Sequence, residues 1–387
     1  MNRNDRKKIV VYAQEIGGGN IVALVVQDLL ALNLYKLEVV IHRHAEESFK
    51  GMKIPYRFLN DFGYDLPLSE IDAMDMLKSF NADYLFGAIG NVTLDKSNGN
   101  LFAAARKMNI KSLAAFDCWQ GWDRFHDGKI RFVYAPDILV VIDEYSRKRM
   151  TNEGLDQNRI AVGGHPVLDK TRESFAEDIT ETEKSTLRER YGIGGQDCLV
   201  VLASQMINYK VEQKTRRIPF YAIETPEGKI IDRVLRALED INKKLDDKSA
   251  VLMLRLHAKE DIAEGLFCKK STVRVVVDRS ISRFDLYRMA DCIIGYDTMM
   301  LAEAVNAGCM VISLQFHGIN HTFERNLVEL AGGEIFTAEN ENDLIRILLD
   351  NQFYRKQQKK ADTFSPYDTT KKKPSYTDIL CREFPVK

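Results

Sequence analysis

Thr298 and Glu303 stand five residues apart in the stretch Ala290–Ser313, which reads as strand, polar turn, short helix, turn and strand. Cys292-Ile293-Ile294 is the first apolar strand and Gly295 to Thr298 the turn. Met299 to Asn306 is the helix, stopped by Gly308 at the position that favours positive φ. Met310 to Leu314 is the next buried strand. A polar turn between a parallel strand and a helix N-terminus offers free N–H groups to an anion. Thr298 would add a hydroxyl for a phosphate, and Glu303 a carboxylate for the diol of a ribose. The plainer reading makes Thr298 an N-cap and Glu303 a solvated helix residue, and spacing alone does not separate the two.

Other residues with chemical capacity cluster where strands end. Gly17-Gly18-Gly19-Asn20 follows the first strand and opens a helix from Ile21 to Leu32. Glycines there would let backbone approach a ligand, so Gly18 and Gly19 are candidate phosphate or sugar contacts. The run does not match GxGxxG, and His42-Arg43-His44 ends the second strand in place of an acidic residue. A nicotinamide cofactor is therefore disfavoured. Arg255 and His257 end a later strand, alternate with Leu254 and Leu256, and could together neutralise the phosphates of a leaving group. The segment from Phe116 to His126 holds both tryptophans, with Asp117, Asp123 and His126 as candidate general bases and the rings as sugar-stacking surfaces. Glu15 is a further candidate base. Gly163-Gly164-His165-Pro166 reads as a hinge, with His165 and Pro166 facing a cleft.

These residues need elements to hold them. Strands are expected at Lys8–Ala13, Leu37–Ile41, Tyr84–Ala88, Lys111–Phe116, Ile138–Ile142 and Arg159–Val162, with helices between them. A charged helical stretch from Lys170 to Tyr191 follows. A second series then begins at Cys198–Ala203, with an amphipathic helix carrying Val234, Leu235, Leu238 and Ile241 on one face and strands at Val251–Leu256 and Val273–Val277. Strand and helix in alternation imply parallel sheets covered on both faces. Residues Gln205 to Glu227, with Lys210, Lys214, Arg216 and Arg217, break the alternation and read as a long basic loop, either solvated surface or a flap that meets an anionic substrate.

A length of 387 residues is long for one core, so two domains are expected. Hydrophobic content of 45% and charged content of 29% are ordinary for a globular enzyme, and a net charge of −1 gives no reason to expect nucleic-acid binding. No stretch approaches the roughly 18 consecutive apolar residues that span a bilayer. The basic N-terminus lacks a signal-peptide cleavage site. The six cysteines form no CxxC pair; Cys198, Cys268, Cys292 and Cys309 lie in or beside apolar runs and read as buried thiols of a reducing cytoplasm. The seven histidines show no zinc-ligand spacing.

In this order the pieces resemble a GT-B glycosyltransferase, over most of the chain. The resemblance rests on Gly17–Asn20, on Pro136–Ile142 leading to Gly163–Asp169, on Arg255–Glu260 and on Ala290–Ser313. The last is similar to a pattern shared by nucleotide-sugar glycosyltransferases, UDP-GlcNAc 2-epimerases and glycerophosphotransferases of teichoic acid synthesis. Gly164–Asp169 resembles their hinge, with His165 in place of the usual Asn. Phe364 to Leu380 resembles their closing segment. The resemblance implies two Rossmann-like α/β domains facing across a cleft, at 1–165 and 166–363, with a C-terminal segment, 364–387, whose helix crosses back onto the first. It implies nucleotide binding in the second domain through Glu303, Thr298, His257 and Arg255, and an acceptor and base in the first. It implies an inverting, metal-independent sugar transfer without cofactor, from a UDP- or CMP-linked donor to a surface-glycan, lipid-linked or protein acceptor. A nucleotide-sugar epimerase or hydrolase, and a binding protein without catalysis, are the alternatives. The phosphate turn departs from the pattern in carrying Asp297-Thr298 rather than serines. Gln14-Glu15-Ile16-Gly17 departs from the Gly-Thr-Arg-Pro-Glu turn with which the epimerases usually begin. A cytoplasmic location is expected; peripheral contact with the inner face of a membrane and a homodimer stay open.

Overall fold

The computed structural model describes residues 6–90, 95–177, 179–195, 197–211, 214–245, 248–257, 260, 271–316, 326–333, 336–350 and 373–386; for 123, 208–211 and 214–217 it describes the backbone. Cys268, Ala258, Lys259 and the stretch 364–372 lie outside the described residues, as do the side chains of Asp123, Lys210, Lys214, Arg216 and Arg217. The chain forms two units, Met1–Val167 with Thr369–Lys387, and Leu168–Asp368.

The first unit is built on β1 (Lys8–Ala13), β2 (Lys36–Ile41), β3 (Arg57–Phe58), β4 (Tyr84–Ala88), β5 (Lys111–Ala115), β6 (Ile138–Val141) and β7 (Ile160–Val162). They pair in the order β3-β2-β1-β4-β5-β6-β7, every pair parallel. Central strands of such a sheet are buried on both faces, which is why Ile9-Val10-Val11-Tyr12-Ala13 is a continuous buried run rather than an alternating one. The crossovers hold α1 (Ile16–Leu32), α2 (Glu46–Phe49), α3 (Glu70–Ser79), α4 (Ser97–Lys107) and α5 (Glu144–Asn152). Ser69 and Asp72 form a capping box at α3, and the Asp143 side chain accepts from the Ser146 N–H at the start of α5.

The reading of Gly17–Asn20 as a turn, with the helix from Ile21, is corrected. α1 starts at Ile16, so the three glycines lie in its first turn. Each glycine weakens a helix by about 1 kcal/mol relative to alanine, and here each permits a close approach. A Cβ on Gly18 would lie 2.3 Å from Ala88 Cβ, and one on Gly19 would lie 2.9 Å from Ser48 Oγ.

The second unit repeats the pattern with β8 (Cys198–Ala203), β13 (Ala250–Arg255), β14 (Arg274–Asp278), β15 (Cys292–Gly295), β16 (Met310–Leu314) and β17 (Phe336–Ala338), in the order β14-β13-β8-β15-β16-β17 and again all parallel. Between β8 and β13 come two antiparallel pairs, β9 (Met206–Val211) with β10 (Lys214–Pro219), and β11 (Glu224–Thr225) with β12 (Gly228–Lys229). The expected basic loop is thus a β-hairpin, with Ile207 opposite Ile218 and Arg216 opposite Tyr209. Its pairs were missed because cations interrupt the apolar alternation by which a half-buried strand is recognised. Helices α6 (Pro166–Ser174), α7 (Glu181–Arg190), α8 (Ile230–Asn242), α9 (Arg283–Met289), α10 (Met299–Asn306), α11 (Leu327–Leu330) and α12 (Glu341–Asp350) complete the second series. Val234, Leu235, Leu238 and Ile241 of α8 are buried in its core.

The closing helix, α13 (Tyr376–Glu383), belongs to the first unit. Tyr376, Ile379, Leu380 and Phe384 join the core formed by β1 and α1. The Tyr35 hydroxyl donates to the Phe384 carbonyl at 2.6 Å, and the Phe384 ring stacks on Tyr84 at 4.4 Å. Gly163 leaves room for this helix, since a Cβ there would lie 3.0 Å from Ile379 Cδ1 and 2.5 Å from Val140 Cγ1.

Candidate functional site

In a doubly wound sheet, ligands bind beyond the carboxyl ends of the strands, where the strand order reverses. In the first unit that point lies between β1 and β4, and in the second between β8 and β15. The candidate residues are distributed over these two edges.

At the first edge, Asp117 follows β5 and pairs with Arg124 at 3.0 Å. Arg124 sits on the short 3-10 turn Trp122–Phe125, its guanidinium 5.7 Å from the centre of the Phe116 ring. Burial pushes the Arg124 pKa down, but Cys118, Asp117 and Glu15 outweigh it and the net direction is up. Glu15, the residue before α1, therefore shares the field of Arg124 with Asp117. Gly17 brings the helix start against the same carboxylate: a Cβ there would be 2.6 Å from Asp117 Oδ2. His165 is buried, with Nε2 3.2 Å from the Asp117 carbonyl oxygen, so this residue of the expected hinge supports the backbone of the candidate base. Pro166 opens α6 at the first helical position, where its missing N–H leaves no bond unmade.

His126 stands apart from this group. Its ring packs edge-on against Phe132, and its buried Nε2 has no hydrogen-bond partner among the described residues. The two tryptophans divide as well. Trp119 is 1% exposed and donates from Nε1 to Asp143 at 2.8 Å, which makes it a core residue and not a sugar-stacking face. Trp122 is half-buried beside Phe116. Gly18 and Gly19, expected as phosphate or sugar contacts, are buried positions in the first turn of α1, packed against Ala88 and Ser48.

At the second edge, Tyr296 turns into the core and stacks on Phe220 at 5.5 Å, leaving Asp297 and Thr298 half-buried in the turn. Thr298 is the N-cap of α10, its hydroxyl accepting from the Met300 N–H at 3.4 Å. Gly308 follows α10 with φ +76°. Glu303 is not a solvated helix residue. It is 7% exposed, takes two contacts of 2.9 Å from Arg283 Nη1, one on each carboxylate oxygen, and accepts from the Tyr287 hydroxyl at 3.1 Å. Burial, followed by the Glu303 charge, raises the Tyr287 pKa well above the usual phenol value. Arg255, expected to meet a phosphate, forms an ion pair with Asp278, its in-register neighbour on β14. His257 is half-buried beyond the end of β13. Its backbone N–H donates to Glu260 Oε2 at 3.0 Å, while Ser204, just after β8, donates to Oε1 at 2.8 Å. Glu260 so ties the ends of β8 and β13 together, and its burial raises its pKa against the opposing pull of these hydrogen bonds.

Arg124, Arg283, Tyr287, Asp278 and Glu260 carried no role in the sequence reading. Arg124 and Glu260 lie inside segments singled out for their neighbours. Arg283 and Tyr287 sit a helix and a strand before Glu303, and no local pattern announces their meeting.

Among the described residues, no group of three or more His, Cys, Asp or Glu is placed to hold a metal ion, and no helix is long and apolar enough to cross a membrane. No protein-family profile and no curated protein matches the sequence. Solved structures do match. A UDP-GlcNAc 2-epimerase from Neisseria meningitidis bound to UDP-GlcNAc is similar over 97% of this chain and 99% of its own, with TM-score 0.64 and 14% identity. The UDP-GlcNAc 2-epimerase from Methanocaldococcus jannaschii gives 0.64 and 14%, over 97% and 98%. Anabaena HepE in complex with UDP and glucose gives 0.55 and 13%, over 98% and 96%. The likeness is one of fold: the chain has a GT-B-like architecture of two parallel-sheet α/β domains.

Proposed function

We propose that this chain is an enzyme of nucleotide-activated sugars that binds the nucleotide on its second unit and transfers the sugar to an acceptor hydroxyl. One observation carries the reading. The polar turn Asp297-Thr298 and the helix carrying Glu303 stand at the reversal of strand order in the second sheet. The N-terminus of α10 and Thr298 would take the diphosphate, with His257 beyond the neighbouring strand. Glu303, its carboxylate oriented by Arg283 and Tyr287, would accept from the ribose diol through its remaining lone pairs. In the first unit Asp117, oriented by Arg124, would remove the acceptor proton as its oxygen attacks the anomeric carbon and the nucleoside diphosphate departs. Anabaena HepE, solved with UDP and glucose, supports a UDP-linked donor.

A second reading, epimerisation of the nucleotide sugar itself, is favoured by the two epimerases similar over nearly the whole chain. Incubation of the full-length protein with UDP-GlcNAc in heavy water, without an acceptor, separates the two. Transfer leaves the donor's sugar configuration and carbon-bound protons intact; deuterium at C2 or a second C2 epimer overturns transfer in favour of epimerisation. Calorimetric titration with UDP tests the site itself. Glu303→Gln should weaken UDP binding at least about tenfold, in line with the roughly 1.5–3 kcal/mol of a hydrogen bond to a charged group. Unchanged affinity would remove Glu303 from the site.

A further inference from the structure

Two buried polar atoms at the first edge have no partner among the described residues. The Tyr12 hydroxyl belongs to a residue 1% exposed, and the Gln14 amide oxygen to one 5% exposed; neither makes a hydrogen bond to a described residue. An unsatisfied buried polar group destabilises a fold by about 1–3 kcal/mol, so such a group calls for an explanation. Tyr12 lies near the end of β1 and Gln14 directly follows the strand, beside the reversal of strand order. Ile9, Val11 and Ala13 point into the core shared with α1 and α13, and Tyr12 alternates to the other face. Among the described residues, the carboxylates of Asp95 and Glu15 lie close enough to act on its hydroxyl. Asp117 adds a third carboxylate to this edge, and Arg124 is the cation set against Asp117 and Glu15.

We propose that the carboxyl edge of the first sheet takes a donor-rich, uncharged or cationic sugar group, a polyol or an amino sugar rather than a carboxylated or phosphorylated one, with the Tyr12 hydroxyl and the Gln14 amide oxygen as its buried contacts. The amide oxygen only accepts, and ionised carboxylates only accept. A ligand that satisfies this edge must therefore arrive with O–H or N–H groups. Among the described residues an anionic sugar would meet three carboxylates, with the Arg124 guanidinium against Asp117 and Glu15 and the His42 ring, its pKa lowered by burial, in the field of Asp95; like charges in a partly dry site repel strongly. The inference deepens the proposed function by naming the class of group the first unit takes, and it rests on that reading only for calling the group an acceptor or a transferred sugar.

Saturation-transfer NMR with free glucose, glucosamine and glucuronate at millimolar concentration tests it on the full-length protein and on Tyr12→Phe and Gln14→Leu. Glucose and glucosamine should give signals several-fold stronger than glucuronate. Both variants should melt no lower than the parent, because each removes an unpaired polar atom, and both should lose most of the sugar signal. Equal signals from glucuronate, no signal from any sugar, or undiminished signals in the variants would overturn the proposal. A marked fall in melting temperature would also overturn it, by showing that the groups hold the fold. UDP affinity on the same samples reports the second unit separately, so a protein that binds sugars and not UDP loses the nucleotide assignment and keeps this one.

Discussion

Gly17 shows how one residue can serve a carboxylate it never bonds. It is exposed in the first turn of α1, and a Cβ there would meet Asp117 Oδ2 at 2.6 Å. Gly17→Ala should leave stability unchanged or raise it by up to about 1 kcal/mol, because alanine favours the helix and the carboxylate end of Asp117 can swing aside. The same swing would break its contact with Arg124. Turnover of the nucleotide sugar should fall at least tenfold while the melting temperature holds; loss of both together would mean a packing role alone. Neither Asp117 nor Glu303 could be ranked above its neighbours from residue type. Asp117 gains its standing from Arg124 and His165, and Glu303 from Arg283 and Tyr287, all contacts that depend on the folded backbone.

At the scale of elements, α8, α12 and the small hairpin β11–β12 are joined by one buried cation. Arg233 is 1% exposed, bonds Glu341 at 2.8 and 3.0 Å and Glu227 at 3.1 Å, and lies 4.2 Å from the centre of the Phe316 ring. Burial raises the Glu341 pKa, but hydrogen bonds from Arg233 and Arg236 outweigh it and hold the carboxyl at about 2. Its folded pKa lies below the ordinary value of 4.5. The pair therefore contributes stability that is fully present above about pH 4.5 and is lost as pH falls toward about 2. Glu341→Gln should lower unfolding stability at pH 7 by about 2–3 kcal/mol, since it leaves a buried guanidinium short of its counter-charge. Urea unfolding should show the gap between variant and parent closing as pH falls through that window. A gap that stays constant with pH would assign the loss to packing. The elements themselves were largely legible: both central strands, Lys8–Ala13 and Cys198–Ala203, and α10 stand where the apolar runs and Gly308 place them. The start of α1 was not, because glycine marks a turn by its conformational freedom and helix packing by its lack of a side chain, and a sequence does not say which property is in use.

Across the whole molecule, the chain leaves the first unit after Val167 and returns to it for α13. Leu380, fully buried against β1 and α1, should be among the strongest points of that return. Leu380→Ala should destabilise the first unit by about 2–5 kcal/mol through lost transfer energy and the cavity left behind. Amide hydrogen exchange would check it: faster exchange in β1 and α1 with β8 and β15 unchanged is the expected pattern. Uniform acceleration across both sheets would show that the two units unfold as one.

The sequence by itself determined the class of fold, the alternation of strands and helices, and the turn from Gly295 to Thr298, because strand periods, helix stops and apolar runs are local properties of the chain. Only the tertiary structure decided which charged residues are partnered and which polar atoms are left without one. Arg255 is claimed by Asp278 one strand away, Glu303 by Arg283 across a crossover, and the Tyr12 hydroxyl by none of the described residues. Those outcomes depend on register and burial between segments far apart in the chain, and no window of residue types contains them.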